Sequence, residues 1–167
     1  MTGNQRYLAV YLNDHLAGST TAIELIHRAV AQYEGTELGT FFAELGDEIE
    51  ADRDTLKAFM AENGVQPQRV KLAAAWAAEK AARLKFNGAL LRRSPLTPFV
   101  ELETLAIGIH GKLLLWRALR AQPADDVAAA RLDELIARAE RQRETVEGRR
   151  VEAGRGVLGP ARAAVER

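Results

Sequence analysis

The sequence predicts an all-α protein: an up-down-up-down four-helix bundle with an additional amphipathic helix at its C-terminal end. Three observations carry this expectation. Apolar residues recur at spacings of three and four over long stretches, and no segment alternates apolar and polar residues long enough for a half-buried strand. Helix-breaking signals stand at Gly35, Asn63-Gly64, Ser94-Pro95 and Pro123, leaving segments of helical length between them. The links are short: even fully extended, the chain from Asn63 to Pro67 spans less than about 20 Å, while a helix of about 25 residues is roughly 37 Å long. Consecutive helices are therefore expected side by side and antiparallel. The 167 residues, 47% hydrophobic and 28% charged, suit one core of a soluble globular chain.

The first helix is expected from about Asn4 to Glu34, ended by Gly35, a residue that accepts the left-handed conformation following many helices. The second begins near Thr36, with Glu37 favourably placed against the N-terminal dipole, and stops at Asn63-Gly64. Pro67 opens a third, since its missing N–H costs nothing in a first turn, and this helix ends between Gly88 and Leu91. Thr97-Pro98, as N-cap and first-turn proline, starts a fourth that ends before Pro123. A fifth starts at Asp125 or Asp126, with Ala128, Leu132, Leu135, Ala139, Gln142 and Val146 forming a heptad-like seam. Packing against the bundle is the expected use of this seam, and homodimerisation the alternative. Beyond Glu147, Gly148, Gly154, Gly156 and Gly159-Pro160 interrupt the pattern. A single domain is expected over residues 1–154, with 155–167 as a flexible tail.

Composition removes several functional classes. The 23 Lys and Arg balance the 23 Asp and Glu, so no net field draws in nucleic acid or an anionic membrane. The eight Arg and five Glu from Arg138 onward read as a solvated face, without interleaved aromatics. With no cysteine there is no disulfide, thiolate nucleophile or cysteine-ligated metal site, and no nucleotide-binding glycine fingerprint is present. Tyr7 to Leu12 is too short for a signal-peptide core, and Glu103, His110, Lys112 and Arg117 interrupt the most apolar stretch, Leu102 to Leu119. A cytoplasmic protein is expected.

Polar residues on the inward faces give the candidate site. At 100° per residue, Leu8, Leu12, Ile23, Ile26 and Val30 form one stripe of the first helix, containing His15 and Ser19. In the second helix Asp52 lies amid Leu38, Phe41, Leu45, Ile49, Leu56 and Phe59, with Glu48 at the margin. In the third, Glu79 and Arg83 interrupt Leu72, Trp76, Phe86 and Leu90. The fourth is apolar almost all round; Phe99, Ala106 and Leu113 share a line with His110 and Arg117, and Glu103 lies beside them. With the helices aligned antiparallel at their midpoints, Ser19, Asp52, Glu79 and His110 fall within about 3 Å of one height, and Glu48 one turn away. Arg83 and Glu103 lie to one side of this tier, His15 and Arg117 to the other.

Helix pairs with inward carboxylates and histidine, together with the segments Tyr11-Leu-Asn-Asp-His-Leu-Ala-Gly18 and Asp47-Glu-Ile-Glu-Ala-Asp-Arg53, resemble a bacterial branch of the ferritin-like superfamily with no assigned function. The resemblance spans residues 7–121. It implies a helical bundle with family-like metal positions at Glu79, Glu48 and His110. Ferritin-like di-iron sites use Glu-x-x-His pairs. Here Ala51 stands three residues after Glu48 and Ile107 three before His110, so the bridging geometry is lost and a full di-iron oxidase is not expected. The short link after Asn63 departs from the long crossover usual in such bundles.

Buried carboxylates need a partner, a proton or a metal. The first reading is therefore a buried ion-pair and hydrogen-bond network in a non-enzymatic structural or interaction module, without cofactor. In it Arg83 holds Glu79, an arginine of a neighbouring helix holds Glu103, and His110 or His15 holds Asp52, with Arg117 and Ser19 as further members. The alternative is a divalent iron, manganese or zinc ion held by Asp52, Glu79 and His110, with His15 or Glu48 as a further ligand, in a metal-binding protein or oxidoreductase. Two lesser readings are a small-molecule pocket lined by Trp76, Trp116 and the polar tier, where Gly108 and Gly111 allow close helix approach or leave room for a ligand, and a Ser19–His15–Asp52 triad. A mid-helix backbone has no free N–H to offer that triad as an oxyanion donor.

Overall fold

The computed structural model describes residues 3–68, 94–123 and 125–158, and among them it is all-helical: α1 (Gly3–Gln32), α2 (Glu37–Glu62), α3 (Thr97–Arg120) and α4 (Asp126–Arg155). The helix expected from Pro67 onward, with Trp76, Glu79 and Arg83, lies outside the described residues apart from Pro67 and Gln68, which are not helical. Gly35 follows α1 at φ 75° and Gly64 follows α2 at φ 66°, both in the region that a side chain disfavours. Thr36 caps α2, its Oγ1 accepting from Gly39 N at 3.1 Å, and Asp125 caps α4 by accepting from Ala128 N at 2.8 Å. The α3 start differs by one residue from expectation. Leu96 is the cap residue, Thr97 is already helical, and Ser94 Oγ accepts from Leu96 N at 3.2 Å.

The glycines after Glu147 do not break α4, which runs through Gly148 and Gly154 to Arg155. Gly148 is bracketed by the Glu147–Arg150 pair at 2.7 Å. Gly154 makes room for a ring: a Cβ there would lie 3.0 Å from Phe99. Val157 N and Leu158 N both donate to Gly154 O, so the expected tail begins with an ordered helix stop; residues 159–167 lie outside the described residues.

Contacts fix the helix directions. Tyr33 stacks on Phe42, Gly46 packs against Ile26, and Asn13 Nδ2 donates to Gln66 O, so α1 and α2 are antiparallel. Arg120 pairs with Asp133, Arg117 with Glu140 and Arg150 with Glu103, so α3 and α4 are antiparallel. Glu62 pairs with Arg131 and Asp52 with Arg138, while Arg149 covers Phe41, which makes α2 and α4 antiparallel as well. It follows that α2 and α3 run in the same direction.

The interior falls into two apolar clusters. One gathers Leu12, Leu16, Leu56, Met60, Leu113, Trp116, Leu132 and Leu135. The other gathers Ile23, Ile26, Phe42, Leu45, Ile49, Leu102, Ile109 and Val146. The α4 seam Leu132, Leu135, Ala139, Gln142 and Val146 is thus buried in the chain's own bundle, whereas Ala128 is exposed. No helix among the described residues is long and apolar enough to cross a membrane.

Candidate functional site

The boundary between the two clusters is polar on every described helix. In α2, Asp52 stands between Ile49 of one cluster and Leu56 of the other; in α3, Lys112 stands between Ile109 and Leu113; in α4, Gln142 stands between Val146 and Ala139. In α1 the interval from Leu16 to Ile23 contains the half-buried Ser19. Polar side chains therefore separate the two clusters on the described helices, and those of α2, α3 and α4 bond to one another.

Asp52, 3% exposed, is the centre of this tier. Lys112 Nζ donates to Asp52 Oδ2 and to Gln142 Oε1. Gln142 Nε2 donates to Asp52 Oδ2 at 3.2 Å and to Glu48 Oε2 at 2.8 Å. Arg138 Nη2 closes on Asp52 Oδ1 as an ion pair without hydrogen-bond alignment, and its Nε is buried without an acceptor among the described residues. Two carboxylates thus face two cations, joined by an amide that bonds to three of them. Burial pushes the Lys112 ammonium below its ordinary pKa, and the adjacent Asp52 carboxylate works against that shift.

Other sequence-predicted members lie elsewhere. His110 is exposed on α3 and is not a partner of Asp52. Residues 110 and 112 are two apart on the helix, so turning Lys112 inward turns His110 out. His15 is half-buried and packs edge-on against Tyr11 at 4.6 Å; burial holds its pKa below the usual value. Ser19 Oγ donates to Leu16 O at 2.7 Å, so Ser19, His15 and Asp52 have separate partners and no triad forms. Glu103 pairs with Arg150 of the neighbouring α4 at 3.2 Å and Arg117 with Glu140 at 2.6 Å, both on the exposed surface rather than in the interior. Glu48 is an exposed rim residue. No group of three or more His, Asp or Glu among the described residues could hold a metal ion, and Glu79 lies outside them. Gly108 and Gly111 face open space among the described residues rather than a closely approaching helix.

Two features went unread in the sequence. Asn13, 6% exposed, donates to Ala9 O at 2.8 Å and accepts from Gln68 N at 2.7 Å, pinning the chain after α2 to α1. Tyr33 Oη donates to Glu101 Oε2 at 2.9 Å; burial raises the Glu101 pKa above the usual carboxylate value, and burial followed by the Glu101 contact raises that of Tyr33. Trp116, expected beside a pocket, is buried next to a cavity of about 60 Å³ bounded by Phe59, Leu132 and Leu135, with no acceptor for its Nε1 among the described residues; Trp76 lies outside them.

Between α2 and α4, beside the tier, lies a cleft of about 380 Å³. Phe41, Glu44, Leu45 and Glu48 line it from α2, and Arg138, Arg141, Gln142 and Thr145 from α4. No family model, curated protein or solved structure matches the chain.

Proposed function

We propose that the protein is a non-enzymatic, ferritin-like helical-bundle module whose chain runs up-down-up-down, without the long crossover usual in that superfamily, and in which the polar tier sets how the helices register. One observation supports this reading above the others: Asp52, the carboxylate at the centre of the tier, faces Lys112 and Arg138. A cation is already built into the chain. A divalent ion at Asp52 and Glu48 would have to displace the Lys112 ammonium and sit beside the Arg138 guanidinium, so the metal-binding alternative carries an electrostatic cost. Buried ion pairs seldom stabilise relative to apolar replacements; their best-attested use is in fixing register. A tier between two apolar clusters suits that role, because sliding one helix by a turn would place Asp52 or Lys112 among leucines and isoleucines.

The test is the triple variant Asp52→Leu, Lys112→Met, Gln142→Leu, compared with wild type by stability and by nuclear magnetic resonance. The expected result is equal or greater stability with broadened or doubled core signals, as alternative packings become accessible. A single sharp spectrum with wild-type interhelical contacts would overturn the register role.

A further inference from the structure

The cleft beside the tier has walls of opposite charge. Its acidic groups, Glu44 and Glu48, come from α2 alone, and its basic groups, Arg138 and Arg141, from α4 alone. Two of the four are held in place: Glu48 accepts from Gln142, and Arg138 is paired to Asp52. The charged ends of Glu44 and Arg141 have no partner among the described residues, although each lines the same cleft. Between the walls, Leu45 and the part of the Phe41 ring that Arg149 leaves uncovered supply an apolar floor. The volume of about 380 Å³ falls in the range of small-molecule sites.

Charge balance selects the ligand. The four groups sum to zero, so an anion placed against the arginines would still face two carboxylates, and a cation placed against the glutamates would face two guanidiniums. A molecule carrying both charges satisfies both walls at once and leaves the cleft neutral. Guanidinium favours carboxylate in paired, planar contacts, and an ammonium offers three donors to carboxylates. We propose that this cleft binds a small zwitterion of the α-amino-acid type. Its ammonium meets Glu44 and Glu48, its carboxylate meets Arg141 and Arg138, and its apolar side chain lies over Leu45 and Phe41. The proposal rests on the tier only for the fixed positions of Glu48 and Arg138.

Three probes of matched shape test it on the full chain by titration calorimetry and resonance shifts: L-leucine, leucinamide with only the positive charge, and 4-methylpentanoate with only the negative. L-Leucine is expected to bind at least about tenfold more tightly than either singly charged probe, with shifts confined to the cleft residues. Glu44→Gln and Arg141→Gln, both at exposed positions, are each expected to remove that preference while leaving the circular dichroism spectrum unchanged. Equal binding of the three probes, no localised shift with L-leucine at millimolar concentration, or an undiminished preference in either variant would overturn the proposal. These outcomes are independent of the register test, which reads core line shapes rather than affinity.

Discussion

Replacing Lys112 by Met should be far more costly than deleting a charge from any exposed ion pair among the described residues. The substitution keeps most of the aliphatic length and removes the ammonium, so Asp52 Oδ2 and Gln142 Oε1 lose a shared donor. Asp52 is 3% exposed and the Lys112 side chain 15%, so water cannot readily replace it. Removing one member of a buried pair typically costs about 3 to 5 kcal/mol. Arg138 remains on Oδ1 with a side chain 34% exposed, which keeps part of the compensation and places the expected loss near the lower bound, about 3 kcal/mol. For a chain of this size that corresponds to a fall in Tm of about 6 to 12 °C. The double variant Asp52→Asn, Lys112→Met should lose at least about 1.5 kcal/mol less than the sum of the single variants, because the second substitution removes the stranded charge. Urea unfolding of the four proteins measures both quantities. The exposed Arg120–Asp133 pair is the internal control, where Arg120→Gln should cost less than about 0.5 kcal/mol. A Lys112→Met loss as small as that control, or additive losses in the cycle, would refute the reasoning.

Further predictions follow from geometry and titration. Glu101 has a raised pKa in the folded state, so it binds its proton more tightly there than when unfolded; its contribution favours folding at low pH and is lost as pH rises from the ordinary carboxylate value through the folded one. Glu101→Gln, which can still accept from Tyr33, should therefore be more stable than wild type at pH 7 and flatten this part of the stability profile, read by urea unfolding across pH. His15 has the opposite sign: its folded pKa lies below 6.5, so stability present at neutral pH falls as pH drops from about 6.5 through the folded value, and His15→Gln should abolish that slope. Gly39→Ala should cost about 3 kcal/mol or more, because a Cβ there would lie 2.2 Å from Tyr33 O, whereas Gly148→Ala, in open space on α4, should gain about 1 kcal/mol. Adding iron, manganese or zinc salts should leave the wild-type melting temperature unchanged; a rise of several degrees would favour the metal reading.

The legible parts of the molecule are those where polarity and period agree. In α2 the apolar stripe is unambiguous, so Asp52 stands out as a carboxylate at an inward position, and it is buried. The α4 seam was readable for the same reason, and it contains Gln142. A lone amide in an apolar seam signals a polar partner across the interface, and that signal was available without coordinates. In α3 the pattern fails: apolar residues surround the helix, so either His110 or Lys112 satisfies a stripe, and only packing shows that Ile107 and His110 face outward. Arg138 was hidden by its company, since one arginine among many on a polar helix carries no mark of facing a buried carboxylate. Glycine was also a poor guide in α4, where tertiary contacts and ion pairs carry the helix past Gly148 and Gly154.

The central claim is that the Lys112 ammonium is the internal counter-ion of the tier, and nitrogen-detected resonance spectroscopy of the lysine side chains addresses it directly. The account predicts a Lys112 ammonium with slowly exchanging protons, cross-relaxation to the Gln142 side-chain amide, and a titration midpoint below the ordinary lysine value, all lost in Lys112→Met. A Lys112 signal that exchanges as rapidly as an exposed lysine, titrates at the ordinary value and shows no contact to Gln142 would contradict it.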